Sequence, residues 1–501
     1  MSFVFTSLVL SAGELFVKEF AGSVNNVHLC SLAQTTDGGY VLVGSSTTGD
    51  GVWNFYIVKL NPSGSPMWAR TVGYPDSVTY AYSVLPTADN GWVIAGGQST
   101  WAIILKMSSA GGIDWFKGYG PTYGAFSSYF GVHIAQTSDG GYALASTTNT
   151  RYFMMLKLNS SGGLVWAKNF GKAGWDSRAY RVVEATDSGY VFAGYSSGWD
   201  PYADFLIVKL NPSGTLGWAK TYGWQTDQSR EFFHDFVRTA DGNYMIAGQT
   251  FSDALGTGSP ILIKINPDGN LIWAKSLGAA GSIQDTMFMC PTTDGGATVV
   301  SNTVLAGSYQ MLIFKVNSSG NVEWARTFGG VGGDELRAVI QTVDGGYAAT
   351  GEHTTSNPDA GFVLKIDPQG NYQGCVSEYT VTTRDTTPSI TSVTGMNTIF
   401  PSTGSSLNPP DFYTLTETNL CEPVYEYEHE DNLSFNVSPL VYLISDGVCF
   451  KTKESLEINI YRPNGMLAFS GNLKEGKNRI PLETGVYFWQ AGEHKGKVVV
   501  K

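Results

Sequence analysis

The sequence predicts an all-β protein: a seven-bladed β-propeller of four-stranded antiparallel blades, closed by an N-terminal strand, plus a small C-terminal β-sandwich domain. A turn of the type Asp-Gly-Gly-Tyr recurs about every 50 residues, which indicates a repeat architecture. Apolar and polar residues alternate on both sides of that turn, as in a hairpin, with no helical period. Four strands repeated seven times suit a ring that protects its sheet edges. The turn aspartates are Asp37, Asp89, Asp139, Asp187, Asp241, Asp294 and Asp344.

The first 13 residues resemble a secretory signal peptide in composition. Residues 3–10 are mostly apolar, and Ser11-Ala12-Gly13 supplies small residues where a signal peptidase would cut. The pattern lacks a positively charged start, because no Lys or Arg precedes Lys18. An ordinary first strand is therefore the alternative interpretation.

Residues 14–375 carry the repeats, and the two ends of this segment predict how the ring closes. The seventh repeat lacks the tryptophan that ends the other six. Residues 15–20 match residues 323–328 of the sixth repeat, with Phe16 in the position of Trp324. We expect the N-terminal strand to complete the seventh blade, with residues 372–375 as the competing candidate.

A large ring stands at the same point of six repeats, three or four residues after a glycine. Rings in such a position are expected to be wedges between neighbouring blades, since they remove a large apolar area from water. A row of stacking platforms for a ligand is the functional alternative. These rings are Trp68, Trp115, Trp166, Trp218, Trp273 and Trp324.

Composition excludes several classes of partner. The formal charge of -12 argues against nucleic acid, which requires a basic surface. No apolar run reaches the length of a membrane-spanning helix, so no transmembrane segment is predicted. The 60 glycines and 15% charged residues suit a turn-rich β protein.

Residues 35–40 read Thr-x-Asp-Gly-Gly-Tyr, and residues 59–69 read Lys-Leu-Asn-x-x-Gly-x-x-x-Trp-Ala. With these motifs the segment resembles a family of secreted prokaryotic β-propeller repeat proteins. The resemblance implies the propeller fold and an extracellular or cell-surface location. It implies no activity, because the motifs consist of turn and packing residues.

Residues 376–431 are rich in Ser, Thr and Pro and predict an extended connector. Cys375 and Cys421 bracket it, and similar bracketed inserts occur in the family that the chain resembles. In an exported protein this favours a disulfide between them, with two unpaired thiols as the alternative. Cys30, Cys290 and Cys449 show no metal-ligand spacing, and the odd total leaves at least one thiol free.

Residues 432–501 alternate as strands of a second β domain. Residues 456–461 end in Ile-Tyr, residues 485–488 read Gly-Val-Tyr-Phe, and the chain closes on a Lys-Val strand. This pattern resembles the C-terminal sorting domain of cargo of the type IX secretion system, which implies that machinery as a partner. The opening Pro-Asn-Pro is replaced by Val-Ser-Pro, and Arg462 stands where an Asp is common. Whether the domain is cleaved therefore stays open.

The residues predict neither a catalytic centre nor a cofactor. The six histidines fall at unrelated repeat positions, so no triad can be nominated, and no metal-binding motif is present. Residues 269–273 resemble the docking motif of quinoprotein dehydrogenases, but Asn266 stands three residues before the glycine where those enzymes have an Asp four before it. We therefore expect a protein that is not an enzyme, with a quinoprotein-like or hydrolytic enzyme as the alternative.

Sequence variation collects on one rim of the ring, formed by the second turn of each blade and the connection between blades. We call this the variable rim and the opposite one the turn rim. Loops on a rigid scaffold often carry recognition, and aromatic rings beside carboxylates suit sugars or protein surfaces. The variable rim would carry Trp53, Tyr74, Asp76, Trp101, Tyr119, Tyr123, Trp175, Asp176, Trp199, Asp200, Tyr202, Trp224, Asp227, Asp253, Asp334 and Asp359.

Within that rim, we expect a ligand-binding patch on the fourth and fifth blades. The alternative is that its rings support long loops and its aspartates cap turns. The patch comprises Trp175, Trp199, Trp224, Tyr202, Asp176, Asp200 and Asp227.

Together these expectations describe a secreted or cell-surface, non-catalytic propeller that binds glycan or protein ligands as an adhesion module. Self-association stays open, and a structural subunit of a surface layer or extracellular filament is the second alternative.

Overall fold

The structure is a computed structural model. It describes residues 15–392 with gaps at 21–25, 48–51, 74–77, 99–100, 120–131, 149–150, 172–174, 198–203, 225–230, 252–257, 280–282, 306–307, 329–333, 354–358, 373–376, 379–380 and 387–388, then 418–419, and then 440–500 with gaps at 445–446, 453–455, 463–465, 475, 482–484 and 492–493.

The described chain is built from β-strands, and the first 28 of them form seven antiparallel sheets. The N-terminal strand is β1 (Phe16–Phe20). Blade 1 comprises β2 (Val27–Gln34), β3 (Tyr40–Thr47), β4 (Trp53–Leu60) and β5 (Pro66–Val72). Blade 2 comprises β6 (Thr79–Pro86), β7 (Trp92–Gln98), β8 (Trp101–Met107) and β9 (Ile113–Tyr119). Blade 3 comprises β10 (His133–Gln136), β11 (Tyr142–Thr147), β12 (Phe153–Leu158) and β13 (Leu164–Phe170).

The remaining blades repeat the same four-stranded order. Blade 4 comprises β14 (Ser177–Glu184), β15 (Tyr190–Ser196), β16 (Asp204–Leu210) and β17 (Leu216–Gly223). Blade 5 comprises β18 (Glu231–Arg238), β19 (Tyr244–Thr250), β20 (Ser259–Ile265) and β21 (Leu271–Ala279). Blade 6 comprises β22 (Ile283–Pro291), β23 (Ala297–Leu305), β24 (Ser308–Val316) and β25 (Val322–Phe328). Blade 7 comprises β26 (Asp334–Gln341), β27 (Tyr347–His353), β28 (Ala360–Ile366) and, from the other end of the repeats, β1.

The ring closes as the sequence predicts. Strand β1 pairs antiparallel with β28, from Phe16 opposite Lys365 to Phe20 opposite Gly361. The first and last repeats therefore share one sheet, and the alternative closure by residues 372–375 is not the one formed. The predicted seven-bladed propeller of four-stranded antiparallel blades is confirmed.

Each turn between the first and second strands of a blade is built around a buried lysine from the third strand. In blade 1, Lys59 Nζ lies 2.9 Å from Asp37 Oδ2 and donates to the Leu60 carbonyl at 2.8 Å. A Cβ at Gly39 would lie 2.2 Å from that carbonyl oxygen, so the second glycine of the turn makes room for the lysine. Equivalent Lys–Asp pairs occur in the other six blades, at Lys106–Asp89, Lys157–Asp139, Lys209–Asp187, Lys264–Asp241, Lys315–Asp294 and Lys365–Asp344.

The repeated rings are wedges between blades, as expected. Trp68 of blade 1 lies against Gly111 of blade 2 and contacts Trp92 with a ring-centroid distance of 6.1 Å. Phe16 makes the corresponding contact across the closure, against Gly64 and 5.7 Å from the ring of Tyr40. The prediction that Phe16 occupies the tryptophan position is therefore confirmed.

The inner strands line the central channel and are tied to each other by side chains. An inner strand has no neighbour on its channel side, so its amide groups need other acceptors. Ser31 accepts the amide of Val84 at 3.3 Å, His133 that of Val182 at 3.3 Å, and Asp235 that of Met289 at 2.7 Å. Each of these contacts joins one blade to the next.

The connector predicted after residue 375 contributes outer strands to the blades. Strands β29 (Ser377–Glu378), β30 (Val381–Asp385) and β31 (Ser389–Ser392) pair with the outer strands of blades 6, 5 and 4. Strand β32 (Thr418–Asn419) pairs with the outer strand of blade 1. The prediction of an extended segment did not include these pairings. An edge strand is held by backbone hydrogen bonds, so its sequence need not alternate between apolar and polar residues.

Residues from about 420 onwards form a second compact unit. It contains a three-stranded sheet and a four-stranded sheet, with Ile458, Ile460, Leu473 and Ile480 buried. Its strands are β33 (Leu440–Ile444), β34 (Gly447–Thr452), β35 (Leu456–Tyr461), β36 (Leu467–Leu473), β37 (Gly476–Pro481), β38 (Gly485–Ala491) and β39 (His494–Val500). The unit is all-β, as predicted.

Candidate functional site

The polar side chains of the two rims have different roles. On the turn rim, the buried lysine of each blade pairs with the aspartate of its own turn, as at Lys59, whose side chain is 5% exposed. On the variable rim, aromatic and acidic side chains meet between blades. The strongest candidate site therefore lies on the variable rim, where blade 7 meets blade 1.

A histidine bridges two carboxylates at this junction. His28 Nδ1 lies 3.3 Å from Glu352 Oε2, and His28 Nε2 lies 3.1 Å from Asp359 Oδ2. Asp359 is held from the blade 1 side as well, because its backbone N–H donates to Asn26 Oδ1 at 3.0 Å. We call His28, Arg337, Glu352 and Asp359 the junction cluster.

The guanidinium of Arg337 neutralises part of this negative charge. It forms ion pairs with both Glu335 and Glu352, and its side chain is 5% exposed. By contrast, the side chains of His28 and Asp359 are 32% and 28% exposed. Solvent and ligands can therefore reach the histidine and one carboxylate, whereas the arginine is enclosed.

Aromatic rings extend from the junction cluster towards blade 2. The Trp53 ring lies 4.7 Å from the His28 ring and 5.8 Å from the Tyr80 ring. Tyr80 and Tyr82 follow with a centroid distance of 6.4 Å and nearly parallel planes. Trp53, Tyr80 and Tyr82, here called the aromatic row, are all half-buried.

The inner end of this row reaches the central channel. A cavity of about 540 Å³ is lined by the inner strands of all seven blades and includes Tyr82, Arg337 and Cys30. Burial raises the pKa of the Cys30 thiol to about 12, so the group is neutral and unreactive at physiological pH. Elsewhere in the same lining, Arg181 pairs with Asp235 at 2.5 Å.

Two of the predicted patch residues, Trp175 and Asp176, lie in the described part of blade 4. Trp175 is 40% exposed. Asp176 is held by Arg178 through two hydrogen bonds of 3.1 and 2.9 Å and by the Tyr195 hydroxyl at 3.2 Å. Trp175 is thus partly exposed to solvent, whereas Asp176 has a structural role in orienting Arg178.

Trp224, the third described member of the patch, is packed inside the protein. It is 7% exposed, and its indole N–H donates to Thr386 Oγ1, just after β30, at 3.0 Å. Trp199, Asp200, Tyr202 and Asp227 lie outside the described residues, so the patch stays a prediction. Cys375, Cys421 and residues 1–13 also lie outside them.

A buried pair of carboxyl groups stands near Trp224. Glu231 and Asp204 are 2% and 7% exposed. Thr250 donates to Glu231 Oε1 at 2.9 Å, while no group among the described residues donates to Glu231 Oε2. Burial and the charge of Asp204 raise the pKa of Glu231 to about 8.

Sequence reasoning singled out Trp53 and Asp359 on the variable rim but missed the residues that complete the site. His28, Tyr80, Tyr82, Arg337 and Glu352 lie in regular strands, where the alternating pattern reads as ordinary packing. The missed signal is the ring closure itself, which brings residue 28 beside residues 352 and 359.

Within the ranges that the structure describes, no group of three or more His, Cys, Asp or Glu side chains could hold a metal ion. Over the same ranges, no helix is long and apolar enough to cross a membrane.

Comparison with known proteins supports the propeller. A family model described as "Domain of unknown function (DUF5122) beta-propeller" matches residues 35–66. These residues contain the first Asp-Gly-Gly-Tyr turn and its buried lysine. No curated protein sequence matches the chain.

Several solved structures are similar to this chain at low identity. A protein of unknown function from Bacteroides caccae is 15% identical, with 57% of this chain and 93% of that chain covered and a TM-score of 0.36. An ulvan lyase of polysaccharide lyase family PL25 is 9% identical, with 72% and 97% covered and a TM-score of 0.46. A protein from Bifidobacterium bifidum that is provisionally named an exo-beta-1,3-galactanase is 11% identical. The match covers 54% of this chain and 93% of that chain, with a TM-score of 0.31.

These matches correct one expectation. The prediction that the chain is not an enzyme is wrong as an exclusion, because solved structures similar to it include a polysaccharide lyase and a protein provisionally named as a galactanase. With identities of 9% and 11% and TM-scores of 0.46 and 0.31, these matches assign no activity to this chain, so they are compatible with binding and with catalysis. What the sequence match and the strand order establish is that the chain is a β-propeller repeat protein with seven four-stranded blades.

Proposed function

We propose that this protein is exported to the cell surface or beyond, and that its propeller binds glycan or protein ligands on the variable rim. The observation that carries the proposal is the aromatic row beside the junction cluster. Half-buried rings near His28 and the solvent-accessible carboxylate of Asp359 combine apolar contact area with hydrogen-bonding groups. That combination is typical of recognition surfaces on rigid scaffolds.

The contrast between the rims supports the choice of this face. On the turn rim, a buried lysine pairs with the turn aspartate in each of the seven blades, which suits a structural role. The variable rim instead differs from blade to blade. A ligand that discriminates one position on the ring needs such differences.

The export part of the proposal rests on the two ends of the chain. Residues 1–13 have the composition of a signal peptide, and residues 432–501 resemble a type IX sorting domain. The type IX secretion machinery would then be a transient partner. Cell fractionation together with sequencing of the mature ends tests this directly, and recovery of the intact chain in the cytoplasm would contradict it.

Binding is tested with the purified full chain on intact cells and on soluble polysaccharides. The double variant Trp53→Ala, Tyr80→Ala should lose at least about tenfold in affinity, because rings at the centre of an interface carry much of its energy. Val165→Ala is the matched control, since Val165 is 59% exposed on the outer strand of blade 3. Equal binding by the parent and the double variant would contradict the proposed site.

The same samples should be assayed for release of reducing or unsaturated sugar ends. Glu352 and Asp359 both contact His28, and carboxyl groups are the usual acid and base of glycan-cleaving enzymes. Turnover that disappears in Asp359→Asn would extend the function from binding to catalysis.

A further inference from the structure

We infer that the ligand of the junction cluster and aromatic row is an uncharged glycan. This inference rests on the proposed function and narrows it to one class of ligand. It is carried by the charges, the exposure and the unused hydrogen-bonding groups of the residues that form the site.

The charge balance of the site is negative. Glu335, Glu352 and Asp359 supply three carboxylates, and Arg337 is the one permanent cation among the described residues that contact them. His28 can donate to both Glu352 and Asp359 only when its ring is protonated. The net charge is therefore about -1 with protonated His28 and about -2 with neutral His28.

The cation in the site is not available to an anionic ligand. Both carboxylate partners of Arg337 hold its guanidinium inside the junction, where its side chain is 5% exposed. A sulfate or a uronate approaching from the rim would meet Asp359 and His28 first. Among the described residues of the site, the one permanent cation, Arg337, is already paired, so such a group would lose its hydration and be repelled by Asp359. This argues against acidic polysaccharides.

A hydroxyl-bearing ligand meets complementary groups instead. Asp359 uses Oδ2 for His28, and no described residue donates to its Oδ1, so that oxygen is available to accept from a sugar hydroxyl. Trp53 lies beside His28 with ring centroids 4.7 Å apart, and Tyr80 follows at 5.8 Å, which provides apolar surface for the C–H face of a pyranose ring. Among the described residues, an acceptor and rings are thus offered without an unpaired permanent cation, which matches an uncharged hexose chain.

Affinity electrophoresis of the full chain in native gels tests the inference. The probes are three uncharged polysaccharides (laminarin, dextran and galactomannan), anionic alginate and cationic chitosan oligosaccharides. At least one uncharged polysaccharide should retard the parent protein, and alginate should not. Trp53→Ala should raise the Kd for that polysaccharide at least about tenfold, and Val165→Ala should leave it unchanged.

Two further variants separate binding from folding. Tyr80→Ala should also weaken retardation, and the melting temperature of each variant is compared with the parent to show that the ring remains folded. Asp359→Asn keeps a hydrogen-bond acceptor and should hold affinity for the uncharged polysaccharide within about threefold, whereas Asp359→Leu removes the acceptor altogether and should lose about tenfold.

Each outcome decides one point. Retardation by alginate or chitosan alone, lost in Trp53→Ala, would overturn the uncharged class while leaving the binding site in place. Equal retardation of the parent and Trp53→Ala would overturn the site itself. If no polysaccharide retards the parent but intact cells bind it through Trp53, the ligand is not a glycan and this inference fails, although the proposed binding function stands.

Discussion

Replacing Glu231 with glutamine is expected to stabilise the propeller at alkaline pH. Glu231 is 2% exposed, and burial together with the charge of Asp204 raises its pKa from 4.5 to about 8. The folded protein therefore binds a proton that the unfolded chain has already released between pH 4.5 and about 8. Over this window the free energy of unfolding falls as the pH rises.

The size of the effect follows from the two pKa values. Their difference corresponds to about 5 kcal/mol once Glu231 is fully ionised, as an upper limit because the site can rearrange. Glutamine removes the ionisation and keeps the hydrogen-bonding geometry. Its carbonyl can accept from Thr250, as Glu231 Oε1 does at 2.9 Å, and its amide can donate to Asp204.

The assay is urea unfolding of the full chain at about pH 5 and about pH 9, followed by tryptophan fluorescence. The propeller dominates that readout, because Trp489 is the single tryptophan of the C-terminal unit. The parent should lose stability between the two pH values, and Glu231→Gln should lose less. Asp268→Asn, at an exposed turn, is the control and should follow the parent. Parallel pH profiles for the parent and Glu231→Gln would refute the reasoning.

Five other substitutions, at four positions, test the repeated contacts. Phe16→Ala should destabilise the ring by about 3–5 kcal/mol through the loss of a buried ring, whereas Phe16→Trp restores the residue of the other blades and should be tolerated, as measured by thermal melting. Gly39→Ala should cost more than Gly140→Ala in urea unfolding, because a Cβ at Gly39 meets the Leu60 carbonyl oxygen at 2.2 Å. A Cβ at Gly140 meets nothing within 4 Å, so that variant bears only the cost of alanine at a φ of +78°, about 1–2 kcal/mol. Asp139→Asn should reduce the amount by which the free energy of unfolding falls in acid. Burial raises the pKa of Asp139, but hydrogen bonds from Thr137 and Lys157 outweigh it and lower the pKa to about 2, so the stabilisation by the carboxylate is lost as the pH falls from 3.8 through that value. A wild-type acid profile in this variant, or equal costs for the two alanines, would count against the turn analysis.

Much of the ring could be predicted because its contacts repeat. The Asp-Gly-Gly turns, the tryptophan wedges and the replacement of Trp by Phe16 each recur at fixed positions, so seven copies reinforce one interpretation. The buried lysine could have been predicted as well. Lys59 and its counterparts always stand just before the turn that follows the third strand of a blade. A charged residue inside a strand, however, is usually expected to face solvent.

The connector strands and the site itself escaped prediction for physical reasons. Strand β30 pairs through its backbone with the outer strand of blade 5, and such pairing places few demands on side chains. His28 and Asp359 are 331 residues apart in the chain and meet only because the ring closes. The predicted patch that includes Trp175, Trp199 and Trp224 rests on loop positions, and Trp224 is buried against the connector.

The outer strands contributed by the connector have a mechanical consequence. If the chain is anchored by its C-terminal end, tension enters the propeller through β32, a two-residue strand, and then reaches β31, β30 and β29 in turn. Short terminal strands of this kind can detach one after another while the closed ring beneath them keeps its own pairing between β1 and β28. The short outer strands would thus detach first and lengthen the chain, so that the closed ring bears the pulling force only after they have separated.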